Sequence, residues 1–250
     1  MYLDIELDEK EIEEALRMAR EAKHYNHVRE EYSRKLREEP DVLSFTAEEL
    51  FDRYCACTNE QGMPFRECMS PEFERIVKRI CCYFANDTRF EGYEGMSLQK
   101  GLLLVGGVGI GKSTLMRVFQ KNARQSFKIH SCRDVEADFS VDGDDALREY
   151  SGNVKIAVNS DPFGHKEIGY CFDDLGTEDQ SKHYGRVKNV MQSVILNRYD
   201  NANLEFVSTH ITTNLTASQI RERYDGRAID RMREMFNIID FPTTEKSRRK

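Results

Sequence analysis

The stretch Gly106-Gly107-Val108-Gly109-Ile110-Gly111-Lys112-Ser113-Thr114 fits the spacing G-x-x-x-x-G-K-[ST] of a phosphate-binding P-loop. Its flanks decide whether the match carries meaning. Just before it, Gly101-Leu102-Leu103-Leu104-Val105 is a short apolar run of strand type. Just after it, Leu115, Met116, Val118 and Phe119 fall at helical spacing. Strand, glycine loop and helix thus stand in the order a phosphate cradle needs. The glycines let backbone N–H groups turn inward around β- and γ-phosphates where a Cβ would obstruct them. The opening of the next helix adds the positive end of its dipole. Lys112 is placed to reach the β- and γ-phosphates, and the Ser113 hydroxyl to hold Mg²⁺.

Two later strand ends complete the pattern. Ile168-Gly169-Tyr170-Cys171-Phe172-Asp173-Asp174-Leu175-Gly176 enters as a buried strand and ends in two carboxylates. Ligands of open α/β sheets bind at the carboxyl ends of strands. Asp173 therefore sits where a Walker-B carboxylate holds Mg²⁺ through its water shell, and Asp174 where a general base orients the attacking water. The run Leu204 to Asn214 reads as a further strand ending in Thr212-Thr213-Asn214. The Asn214 amide can hydrogen-bond both a γ-phosphate and the attacking water. Last comes Gly226-Arg227-Ala228-Ile229-Asp230-Arg231-Met232-Arg233 on a short helix, before a closing strand at Asn237–Phe241. Arg227 and Arg231 share one helix face. Surface ion pairs, a phosphate contact or an arginine finger all account for them. His130 closes a strand at 127–130 and reads as a packed strand-end histidine. Asn86 to Gln99 reads as a lead-in loop, where Phe90 and Tyr93 are candidates for an adenine contact, simple packing being the plainer role.

Ahead of this engine the chain changes character. From Asp8 to about Glu39 it is dense in Glu, Lys and Arg, with Ile12, Ala15, Leu16, Ala19 and Ala22 as a narrow apolar stripe. That is either a solvated face or a docking arm for a partner. Thr46-Ala47-Glu48-Glu49 reads as a capping box opening a second helix. Phe73, Ile76, Val77, Ile80 and Tyr83 form a strong amphipathic helix after Ser70-Pro71, and the boundary between a helical partner-docking region (1–70) and the nucleotide domain (71–250) is expected there. Cys55, Cys57, Cys68, Cys81 and Cys82 lack the paired C-x₂₋₄-C spacing of structural zinc sites and read as ordinary thiols. Over 250 residues the net charge is −7, so any nucleic-acid contact requires a local basic patch, and Ala217–Lys250 holds nine Lys or Arg against six Asp or Glu. No run approaches the roughly 18 apolar residues of a membrane span. The acidic start Met1–Glu6 is unlike a signal peptide, so a cytoplasmic protein is expected.

Taken in order, the P-loop, strand-D-D-L-G, strand-T-T-N and G-R-x-x-D-R on a late helix resemble the DnaC/IstB branch of the AAA+ ATPases. The resemblance spans about residues 72–250 and is greatest to replicative helicase loaders of the DnaC type, including phage and mobile-element forms. It implies an α/β three-layer sandwich of the P-loop NTPase type with a central parallel sheet, and no full C-terminal lid. ATP and Mg²⁺ are the implied cofactors. Gly106 to Thr114 are implied as the nucleotide-binding loop, Asp173 and Asp174 as the Walker B pair, and Asn214 as sensor 1. Arg231 would be the arginine finger reaching a neighbouring subunit, and Arg248 a C-terminal sensor arginine. The implied partners are a replicative hexameric helicase, single-stranded DNA and further copies of this chain in an ATP-dependent assembly. An IstB-type transposition ATPase on double-stranded DNA, or an adaptor that binds ATP without hydrolysing it, are the competing readings. One departure stands out. Many AAA+ proteins carry Asp-Glu at Walker B, and the shorter Asp174 stops about 1.5 Å further back, which implies slow turnover.

Overall fold

The computed structural model describes residues 8–37, 43–59, 62–157, 160–178, 181–183, 186–202 and 206–242. The chain divides into two compact units, Met1–Asp41 and Val42–Lys250. Among the described residues the first holds one helix, α1 (Glu9–Arg37), on which Ile12, Leu16, Met18, Tyr25 and Val28 are all exposed.

The second unit opens with α2 (Ala47–Ala56). The Glu49 N–H donates to Thr46 Oγ1, and the Thr46 N–H donates to the Glu49 carboxylate at 2.8 Å, the reciprocal cap its sequence predicts. Next comes α3 (Pro71–Phe84), with Pro71 in its first turn and the Phe73 N–H donating to Ser70 Oγ. Ala47, Leu50 and Tyr54 of α2 share one core with Phe73, Ile76, Val77, Ile80 and Tyr83 of α3. Helix α2 therefore packs with α3 and belongs to the same compact unit as the nucleotide domain.

After a 3₁₀ turn at Thr88–Gly92 come β1 (Gly101–Val105), α4 (Lys112–Val118), β2 (Phe127–Ser131), α5 (Cys132–Asp142), α6 (Asp144–Ser151), β3 (Val154–Lys155) and β4 (Glu167–Leu175). A separate antiparallel pair, β5 (Ser181–His183) and β6 (Arg186–Lys188), precedes α7 (Val190–Asn201), β7 (Thr209–Thr213), α8 (Ala217–Arg223), α9 (Gly226–Met235) and β8 (Phe236–Asp240). Five strands run parallel in the order β2-β4-β7-β1-β8, and β3 lies antiparallel along the start of β4. The period-2 pleat splits β1 between two cores. Leu102 and Leu104 pack with α2, α3 and α4, while Leu103 packs with α5, α6, α7 and α9. The result is a three-layer α/β sandwich with a central, mainly parallel sheet. After Asn214 the described residues hold α8, α9 and β8, with no helical lid among them. None of the described helices is long and apolar enough to cross a membrane.

Two features depart from the sequence reading. Helices α5 and α7 form in stretches where no element was named from the sequence: Cys132, Val135 and Phe139 of α5 and Val190, Met191, Val194 and Ile195 of α7 are buried together in the core on one face of the sheet. Of the strand expected from Leu204, Leu204 and Glu205 lie outside the described residues, and the described strand begins at Thr209, whose N–H donates to the Phe206 carbonyl at 3.0 Å in the preceding turn. Gly101 lies directly under that turn. A Cβ there would stand 1.8 Å from the Thr209 carbonyl oxygen.

Two buried basic side chains pack against the sheet. Arg198, 3% exposed, donates to Thr209 Oγ1, to the carbonyls of Tyr150, Gly152 and Ser208, and to Asn153 Oδ1. Burial brings its guanidinium pKa down to about 10. His210, 1% exposed among Tyr83, Phe84 and Phe127, accepts the Leu102 N–H at Nδ1, which leaves its proton on Nε2. Burial pushes its pKa down to about 3. An unfolded histidine titrates near 6.5, so between about pH 6.5 and 3 the unfolded chain binds the extra proton and stability falls with falling pH. His210→Asn keeps an acceptor for Leu102 and removes this titration. Melts across pH 7 to 4 are expected to show an acid limb shallower than wild type, by up to about 1.4 kcal/mol per pH unit. Parallel limbs would contradict the assignment.

Candidate nucleotide-binding site

Strand order explains how residues more than a hundred positions apart meet. Because β7 lies between β1 and β4, the P-loop after β1, Asn214 after β7 and the acids ending β4 stand side by side at one edge of the sheet. The pleat then selects faces. Cys171 of β4 and His210 of β7 point toward α3 and α4, so Asp173 and Thr212, two residues on, point the same way. Ser113 opens α4 on that face.

The contacts are short and mutual. Lys112, 4% exposed, donates from Nζ to the carbonyls of Gly106 (2.7 Å) and Gly107 (2.9 Å) and to Asn214 Oδ1 (2.7 Å). Asn214 Nδ2 donates to Asp174 Oδ1 at 3.0 Å. A cation on one side and an anion on the other orient the neutral amide. Ser113 Oγ donates to Asp173 Oδ1 at 2.8 Å. Thr212 Oγ1 donates to the same oxygen at 2.6 Å and accepts the Asp174 N–H at 3.0 Å. Lys112 and Ser113 are chain neighbours, as are Asp173 and Asp174, so these bonds close into one loop. Lys112, Ser113, Asp173, Asp174 and Asn214, singled out separately in the sequence, are brought together. Thr212 was assigned no role there; its signal was the period of two that puts it on the face of Asn214.

This donor set fits a magnesium nucleotide. The loop backbone is left-handed at Gly109 (φ 80°) and Gly111 (φ 104°), where a side chain would be strained and where successive N–H groups can converge on an anion. The Ser113 hydroxyl and Asp173 carboxylate are the hard oxygen donors that Mg²⁺ takes. Ile110 is buried and anchors the loop in the core, whereas Val108 and Thr114 are exposed.

A β-bulge sets the acid pair. Phe172 pairs with Ile211 but Leu175 pairs with Thr213, so β4 carries one residue more than β7 across the acids. Asp174 takes up the extra residue with φ 58°. In a regular strand, alternation would send Asp174 to the opposite face from Asp173. The bulge brings its carboxylate back to Asn214. Aspartate is one of the few side chains that tolerates this left-handed backbone.

The turn after the acids is tied to the arginine-bearing end of the chain. Glu178, 2% exposed, accepts the Gly176 N–H at 2.7 Å, the Tyr224 hydroxyl at 2.5 Å and Arg223 Nε at 3.3 Å. Burial and then the Glu178 charge raise the Tyr224 phenol far above its ordinary pKa.

Other sequence candidates lie apart from the loop of bonds. Arg231 donates to the Tyr199 hydroxyl and Glu234 Oε1, each at 3.0 Å, with its guanidinium 4.2 Å from the Tyr199 ring centroid. It lines an open surface cavity of about 610 Å³ with Arg227, Asp230, Arg233 and Glu234. Arg248 lies outside the described residues. Phe90 is fully buried against Tyr83, and Tyr93, 39% exposed, lies beneath the Arg79 guanidinium. His130 sits between the rings of Tyr150 and Tyr170, and burial lowers its pKa. Cys55 and Cys81 are core thiols whose pKa burial raises.

No family model matches the chain, and no curated protein matches it. Among solved structures it is similar to a DnaC helicase loader, at 19% identity and a TM-score of 0.45, over 76% of this chain and 99% of that one. It is also similar to a provisionally named primosome component from Streptococcus pyogenes serotype M3, at 19% identity and a TM-score of 0.45, over 71% of this chain and 83% of that one. At that level of likeness, residue roles rest on the geometry described above.

Proposed function

We propose that this chain binds and hydrolyses ATP and loads a replicative hexameric helicase onto single-stranded DNA. The observation that carries the ATPase half is the closed set of bonds joining Lys112, Asn214, Asp174, Thr212, Asp173 and Ser113. Lys112 would take the β- and γ-phosphates in place of its loop carbonyls, and Asn214 would hold the γ-phosphate and the attacking water. Asp174 would orient that water and accept its proton. Ser113 and Asp173 would hold Mg²⁺, which neutralises charge on the phosphate oxygens. The short Asp174 suits a slow switch better than a motor.

The replication half rests on the order of the motifs and on α1. Its apolar stripe, with Ile12 45% and Leu16 50% exposed, is the surface we assign to the helicase. Arg231 would complete a neighbour's site within an ATP-dependent assembly, a contribution worth about 10³-fold or more in rate. To do so it must leave Glu234, whose carboxylate competes with the phosphate for the same guanidinium.

The test is a pull-down with ATP from source-cell extract, using the full chain beside an Ile12→Asp/Leu16→Asp variant, with bound proteins identified by mass spectrometry. A replicative helicase retained by wild type and lost by the variant is the expected result. A transposase without helicase moves the protein to the transposition reading. Retention of helicase by both removes α1 from the interface. The variant changes only exposed positions, so its melting temperature should match wild type.

A further inference from the structure

We infer that Thr212 is a positioning residue for the acid pair, holding Asp173 toward the metal and Asp174 in the bulge through a single hydroxyl. This rests on the reading of the site as a magnesium nucleotide site. The hydroxyl is fully buried, and both of its capacities are used: it donates to Asp173 Oδ1 at 2.6 Å and accepts the Asp174 N–H at 3.0 Å. No other described group bonds to both acids.

Each bond acts on a different half of the chemistry. On Asp173, Thr212 and Ser113 converge on the same oxygen, from β7 and α4. They fix the carboxylate plane, and with it the direction in which the second oxygen faces a metal or its water shell. Partners of this kind orient ligands from behind, and their loss costs about 10–100-fold in metal affinity or activity. On Asp174, the acceptor satisfies the one backbone N–H that the bulge removes from the β4–β7 ladder. Without it, the part-buried N–H of Asp174 itself, already at φ 58°, loses its partner. Relaxing that backbone toward the extended region would carry the Asp174 carboxylate away from Asn214. One side chain thus couples where the metal is held to where the water is held.

A structural role alone would lower stability and leave the metal dependence of the folded protein unchanged, so the test reads metal dependence. Thr212→Val keeps the shape of the side chain and removes both bonds; Thr212→Ser restores the hydroxyl. For the full chain and both variants, fluorescent-ATP affinity is measured in EDTA and across a Mg²⁺ titration, with turnover in parallel and melting temperature as the fold control. The expected result for Thr212→Val is nucleotide affinity in EDTA within about threefold of wild type, a Mg²⁺ midpoint raised about tenfold or more, and turnover lowered about 10–100-fold. Thr212→Ser should return both to within about threefold. A folded Thr212→Val with the wild-type Mg²⁺ midpoint overturns the inference, as does a serine that fails to rescue it. Wild type that binds nucleotide with a Mg²⁺-dependent step but does not turn over defeats the hydrolysis reading alone, because the shift in midpoint still tests Thr212. Wild type that binds no nucleotide defeats both.

Discussion

Lys112→Ala is expected to weaken ATP binding by about 10²–10⁴-fold and to leave the fold intact. The lysine is almost wholly buried, and its contacts include the carbonyls of Gly106 and Gly107 and the Asn214 amide oxygen. An ammonium in such a cradle offers three donors, and nothing apolar is gained by keeping it there. Two charge-assisted bonds to phosphate oxygens, at about 1.5–3 kcal/mol each, correspond to the stated loss in affinity. Truncation to alanine frees the carbonyls of Gly106 and Gly107 in a loop that is open to water on its Val108 side, so the melting temperature should move by only a few degrees. Titration of a fluorescent ATP analogue measures the effect. Affinity within threefold of wild type would remove the P-loop from nucleotide binding.

The second large effect is expected at Asp174. Asparagine has nearly the same size, tolerates the left-handed backbone at φ 58°, and keeps an oxygen for Asn214 Nδ2. Asp174→Asn therefore removes basicity and charge and little else. Single-turnover hydrolysis should fall about 10²–10⁴-fold, the range for loss of a positioned general base, while ATP affinity stays within about threefold. Unchanged turnover would remove Asp174 as the base, and a wild type that does not turn over would leave the non-hydrolysing adaptor as the surviving reading. On the proposed mechanism the pair of variants separates binding from chemistry, with Lys112 acting on the first and Asp174 on the second.

Much of this site was legible in the chain. The P-loop was readable because its geometry is local. Glycine is needed where φ turns positive, lysine follows at a set spacing, and the flanking apolar periods name a strand and a helix. The same holds for α3, whose stripe and Ser70-Pro71 start match the observed Pro71–Phe84, and for the Thr46–Glu49 cap of α2. Local chemistry failed for α7, whose apolar residues carry little helical asymmetry because the helix is covered by α9, α6 and the sheet together. It failed also for residues 43–70, which are charged enough to read as appendage although Leu50 and Tyr54 insert into the core beneath α3.

The sequence by itself determined the chemical inventory of the site and the elements that bear it. It named a phosphate loop, a strand ending in two acids and a strand ending in an amide, because each is specified by residues within a few positions of one another. Only the tertiary structure decided how they combine. Inserting β7 between β1 and β4 is a matter of sheet order, which no local pattern encodes, and it places Asn214 between Lys112 and Asp174. The face on which Asp174 appears is a matter of register. By pleat alone, two adjacent acids point to opposite sides of a sheet, and one residue of slip, stabilised by the Thr212 hydroxyl on a neighbouring strand, turns them to the same side.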